Sequence, residues 1–140
     1  MGGRVGSGDP ILMDDKELLR LANEVRANAY CPYSGFAVGA ALLCEDGSVY
    51  TGVNIENAAY GPSICAERTA IFKAISEGKR GFVKLAVTCE SDHCRPCGVC
   101  RQVMSEHAPE MVILMGNPEG AFVRTTVREL LPDAFSFQEG

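Results

Sequence analysis

Apolar residues recur at helical spacing early in the chain, at Leu18, Leu19, Ala22 and Val25. With Asp14 or Asp15 to cap it, this spacing predicts a helix running to about Ala29. CPYSG (31–35) ends that helix. FAVGAALLC (36–44) then reads as an apolar strand, EDGS (45–48) as a hairpin turn and VYTGVNI (49–55) as the returning strand. NAAYGPS (57–63) is irregular, punctuated by Gly61-Pro62. A second helix is predicted from about Cys65 to Glu77, stopped by Gly78. KLAVTC (84–89) is a short buried strand, SDHCRP (91–96) a loop, and a third helix should start near Pro96 or Cys97 and end before Pro109. MVILM (111–115) is a wholly apolar strand, GNPEG (116–120) a turn and AFVRTTV (121–127) an edge strand, before a short helix in RELLPDAF (128–135) broken by Pro132.

One hairpin followed by alternating helices and strands predicts an α/β fold. The expected architecture is a three-layer α/β/α sandwich around one mixed five-stranded sheet. Strands 84–89 and 111–115 are uninterrupted apolar runs, as a buried parallel pair requires. The chain's 140 residues suit one domain with one core. Residues 1–12, MGGRVGSGDPIL, read as a flexible tail set apart from a domain over 13–140.

Charge narrows the partners. The net charge is −5 with no run of basic residues, so a sequence-independent grip on a nucleic-acid backbone is not expected. No stretch approaches the roughly 20 apolar residues that span a bilayer, and the N-terminus has no secretory h-region. A small solute and a cytoplasmic location are the expectation. Cysteine is the anomaly: seven are present, and a reducing compartment would turn them toward metal or catalysis rather than disulfides.

Two motifs carry the chemistry. In PCGVCRQ (96–102), Cys97 and Cys100 share one helix face in a first turn, where the dipole favours thiolates. Such a pair is half of a tetrahedral zinc site, or, taken alone, a redox pair. In CAERTA (65–70), Cys65 offers a third thiolate from another helix start. Three protein ligands leave a position for water, the mark of a catalytic zinc. Glu67, two residues from a ligand, can reach that water without binding the metal, take its proton and pass it to a substrate nitrogen. Arg68 can point back at a ligand sulfur and offset the charge of three thiolates. Cys65-x-Glu67, then 28 residues, then Pro96-Cys97-x-x-Cys100, is the signature of zinc deaminases in its all-cysteine form.

Over residues 14–137 the sequence resembles the small homotetrameric cytidine deaminases. The likeness lies in PYSGFAVGAAL (32–42), NIENAAYG (54–61), CAERTA, PCGVCRQ and LLPDAF (130–135). The resemblance implies hydrolytic deamination of cytidine and 2′-deoxycytidine to uridine and 2′-deoxyuridine plus ammonia, as in pyrimidine salvage. It implies one zinc per chain on Cys65, Cys97 and Cys100, with Glu67 as proton shuttle. It implies nucleoside contacts from Phe36 near the base, from Asn54 and Glu56 at the ribose hydroxyls, and from Ala58 in the same segment. Tyr60 and Phe135 would complete a neighbouring subunit's pocket.

Other readings stand beside this one. His93 and Cys94 precede the ligand pair where the family leads us to expect neither. Cys94 is expected to be an inert surface thiol, although it could compete for metal or close a purely structural zinc site. Cys31, Cys44 and Cys89 are expected to be small hydrophobes, His93 a loop residue without a role, and His107 a solvated one. A related deaminase acting on a cytosine-bearing nucleoside antibiotic is the nearest rival activity.

Overall fold

The structure, a computed structural model, describes residues 3–4 and 13–137. Its central sheet holds five principal strands: β2 (Gly39–Cys44), β3 (Ser48–Val53), β4 (Phe82–Thr88), β5 (Val112–Gly116) and β6 (Phe122–Thr126). A two-residue strand, β1 (Gly3–Arg4), pairs antiparallel with β3, giving the order β1-β3-β2-β4-β5-β6. The tail expected over residues 1–12 otherwise lies outside the described residues, as do residues 138–140.

Among the described strands, β4 and β5 are the parallel pair, with Leu85 opposite Ile113 and Val87 opposite Met115. The remaining pairs are antiparallel, so the sheet is mixed as expected. Every residue of β2 is buried. Its side chains alternate between two cores, which is what a strand covered on both faces must do. Ala41 and Leu43 face Leu18, Leu19 and Ala22 of helix α1 (Asp15–Val25). Ala40 and Leu42 face helices α2 (Ala66–Ser76) and α3 (Gly98–His107), along with Ala70, Ile71 and Met104. These are the three layers.

Local chemistry sets the boundaries. The Asp14 carboxylate caps α1 by accepting from the Glu17 amide at 2.8 Å. Gly78, at φ 89°, ends α2, and Gly47, at φ 92°, makes the β2–β3 turn possible. Strand β2 starts at Gly39 rather than at Phe36. The Asn54 side chain takes the place of a ladder partner there: its amide donates to the Phe36 carbonyl at 2.8 Å and its oxygen accepts from the Val38 amide at 2.9 Å. Helix α1 also stops at Val25, followed by a 3-10 turn over Arg26–Asn28, and a four-residue helix, α4 (Val127–Leu130), precedes Pro132.

The fold brings two helix starts to one place. Since β3 and β4 are both antiparallel to β2, they point the same way. Helix α2 follows β3, α3 follows β4, and both return over the same face. Their N-termini therefore meet at one end of the sheet, where open α/β sheets place their sites. Helix α2 lies directly on the β3 backbone: a Cβ at Gly52 would sit 2.5 Å from the Ala66 carbonyl oxygen and 2.6 Å from the Ala70 nitrogen. Gly52→Ala should therefore destabilise the protein by about 2–3 kcal/mol in a denaturant titration, because the neighbours it meets are backbone. Gly61→Ala, where a Cβ meets nothing within 4 Å, should stay within about 0.5 kcal/mol of the parent.

Candidate active site

Cys65 occupies the N-cap position of α2 with extended backbone, φ −82° and ψ 158°, and its thiol does not cap the helix. It turns instead toward α3. Cys97 holds the equivalent position of α3, and its sulfur accepts from the Cys100 amide at 3.5 Å. The Cys65 and Cys97 sulfurs are 3.5 Å apart, as are those of Cys97 and Cys100. All three sulfurs lie within 4.8 Å of one another. Sulfurs on a tetrahedral zinc, at Zn–S of about 2.3 Å, are about 3.8 Å apart. The donor set therefore fits one soft divalent ion with neither helix displaced, and both helix dipoles favour its thiolates.

Glu67 and Arg68 both lie in the first turn of α2, beside the sulfurs. Glu67 is 3% exposed, in the first turn of α2, yet it forms part of the wall of a cleft of about 1020 Å³. Burial pushes its carboxyl up to about 7, and the nearby Cys65 charge adds to the rise. A carboxyl poised near neutrality can both accept and donate a proton. Arg68 donates to the Cys65 sulfur at 3.5 Å. The Cys100 thiol, hydrogen-bonded to Cys65, together with Arg68, pulls the Cys65 thiol down to about 5 against its burial. The same pairing and its own burial push Cys100 up.

The expected nucleoside contacts divide into two groups. Phe36, Asn54, Glu56 and Tyr60 line the cleft along with Cys65 and Glu67. The Asn54 amide is half engaged in bracing Phe36 and Val38, which leaves it one N–H and one lone pair for a ligand. Ala58 and Phe135 are not among the residues of this wall. Phe135 is 67% exposed and stacks edge-on against Phe137, their ring centres 5.2 Å apart. Tyr60 is 88% exposed.

Three features escaped the sequence reading. Glu56 is held by the loop 33–36 through the Tyr33 and Ser34 amides and the Ser34 hydroxyl. His93 and Arg95 stand on the cleft wall. Cys94 is not a surface thiol, nor is Cys89 a plain hydrophobe: both are buried and they form a disulfide, Cα–Cα 5.5 Å. The Cys94 amide donates to the Gly116 carbonyl at 3.1 Å, and this bond turns the loop inward against the core. A pair five residues apart across an irregular loop carries no periodic signal, so spacing alone could not reveal it. His107 is exposed at the end of α3, as expected.

Residues 12–115 match the family model for the cytidine and deoxycytidylate deaminase zinc-binding region. The chain belongs to this deaminase family. It is 51% identical over 129 residues to the cytidine deaminase of Halalkalibacterium halodurans, covering 91% of this chain and 98% of that one. Among solved structures, cytidine deaminase from Burkholderia pseudomallei is 46% identical, with a TM-score of 0.86 over 88% of this chain and 100% of that one. Blasticidin-S deaminase from Bacillus cereus is more distant, at 33% over 87% of this chain and 92% of that one.

The disulfide gives a direct count. With any metal chelated and the protein denatured without reductant, an alkylating reagent should modify five cysteines: Cys31, Cys44, Cys65, Cys97 and Cys100. After reduction it should modify all seven. Seven adducts without reductant would show that Cys89 and Cys94 are unbonded.

Proposed function

We infer that the protein is a zinc-dependent deaminase that hydrolyses cytidine and 2′-deoxycytidine to uridine and 2′-deoxyuridine, releasing ammonia. The observation that carries this reading is a buried carboxyl, Glu67, set beside three convergent sulfurs on the wall of an open cleft. Cys65, Cys97 and Cys100 would hold one zinc ion per chain. Bound there, zinc supplies the Lewis acidity that makes water a nucleophile at neutral pH.

The chain's own groups do the rest. Glu67 takes a proton from the attacking water and delivers it to the ring nitrogen next to the amino-bearing carbon. It then carries the second proton to the leaving amino group, which departs as ammonia. One carboxyl serves both transfers, since burial keeps it near neutrality. Arg68 offsets the negative charge that three thiolates concentrate at the site. Phe36 offers an aromatic face to the pyrimidine, and Asn54 and Glu56 offer an amide and a carboxylate to the ribose hydroxyls. Identity of 51% to a cytidine deaminase, against 33% to the blasticidin-S deaminase, favours the plain nucleoside over a nucleoside antibiotic.

The assembly we propose is a homotetramer in which Phe135 and Tyr60 of one subunit approach the cleft of another, Tyr60 also bordering its own. The exposed rings of Tyr60, Phe135 and Phe137 support it, because aromatic surface of this kind is favoured at interfaces. We propose a cytoplasmic location, which is supported by three thiolates left free for metal, although a disulfide is uncommon in a reducing compartment. The Cys89–Cys94 bond uses none of them. Among the described residues no helix is long and apolar enough to cross a membrane.

Glu67→Gln should retain zinc and lower cytidine turnover by about 10²- to 10⁴-fold, followed by absorbance and by metal analysis. Near-parental turnover in that variant would remove Glu67 from the proton path. Cys97→Ala should lose the metal and, because the site ties two helix starts together, melt at a lower temperature. Retention of a full equivalent of zinc would overturn the ligand set.

A further inference from the structure

The carboxylate read above as a sugar contact is not free to turn. Glu56 follows β3 in an extended segment anchored by its amide to the Tyr30 carbonyl at 2.8 Å. Its Oε1 accepts from the Tyr33 and Ser34 amides at 3.0 and 3.1 Å. Its Oε2 accepts from the Ser34 hydroxyl. The hydroxyl oxygen in turn accepts from the Phe36 amide at 3.0 Å. A serine hydroxyl has one proton, so an amide donating to its oxygen leaves that proton for the carboxylate. The loop that presents these donors is closed by Gly35, at φ 68°, whose amide donates to the Cys31 carbonyl at 2.9 Å.

We propose that Ser34 is a positioning residue for nucleoside binding, acting through Glu56: its hydroxyl fixes the carboxylate so that the remaining lone pairs of Oε2 face the cleft and meet a sugar hydroxyl. Tyr33, Ser34 and Glu56 all border the cleft, so the clamp lies at the ligand and not behind it. Hydrogen bonding from Ser34 also holds the Glu56 carboxyl below its usual range, which keeps it an acceptor for a hydroxyl donor. A preorganised acceptor loses less freedom when the ligand arrives, so the effect belongs to binding rather than to the chemical step.

The inference rests on the reading of Glu56 as a ribose contact, and the experiment separates the two. Steady-state kinetics with cytidine would be measured for the zinc-loaded parent, S34A, S34T, E56A and S34A/E56A. Loss of a hydrogen bond to a charged group should raise KM about tenfold in S34A, with kcat within about twofold. S34T, which keeps the hydroxyl, should return KM to within about threefold of the parent. The double variant should match E56A, since Ser34 has nothing to position once the carboxylate is gone. A high KM in E56A with an unchanged KM in S34A would overturn the Ser34 inference alone, as would additive effects in the double variant. A drop in kcat and melting temperature with unchanged KM in S34A would reduce Ser34 to a loop brace. An unchanged KM in E56A would overturn both readings.

Discussion

Three sulfurs from two helices can share an ion only if the helix starts point at one spot, and strand direction secures that. With β3 and β4 parallel in sense though not adjacent, α2 and α3 begin at the same end of the sheet and lie on the same face. The hairpin that inserts β2 between them sets their spacing. Cys65 and Cys97 then fall at the two N-cap positions, where the Cys65 thiol turns away from its own helix and the Cys97 thiol caps α3 while still meeting the other two sulfurs. The dipoles, the thiolates and the ion are mutually supporting. Removing any one leaves the others in an unfavourable field.

This arrangement accepts local costs. A carboxyl is taken almost wholly out of water at Glu67, and the Arg68 Nε is buried with no hydrogen-bond partner. Both would be faults in a structural core. Around a metal, the proposed deamination gives both a use. In that proposal the carboxyl that burial holds near neutrality carries the protons, and the guanidinium, whose Nη2 donates to the Cys65 sulfur, offsets sulfur charge. Ordinary packing rules fail at the position where chemistry needs them to fail.

Much of the fold was legible because its signals are periodic or compositional. The alternation of elements, the two apolar parallel strands and the stops at Gly47 and Gly78 all follow from pattern and turn chemistry. Cys65, Glu67, Cys97 and Cys100 were legible because ligand spacing on a helix start is a local property. What stayed hidden was tertiary. The late start of β2 depends on the Asn54 side chain, which reaches back 18 residues to the Phe36 carbonyl. The Cys89–Cys94 bond depends on how an irregular loop docks against Gly116. The clamp on Glu56 joins residues 22 and 23 positions apart. No period or spacing encodes such contacts.

Small residues mark one end of the sheet. Gly39, Ala40 and Ala41 lie toward the site end of β2, with Leu42 and Leu43 toward the other. A Cβ at Gly39 would sit 2.0 Å from the Ala22 carbonyl on one face, and one at Gly52 meets α2 on the other. Both helices thus press closely on the sheet at the end where the three sulfurs gather. At Gly39 and Gly52 there is no room for a larger side chain. Divergence toward other nucleosides must therefore proceed through the surrounding loops, while the scaffold under the ion stays locked by glycine and alanine.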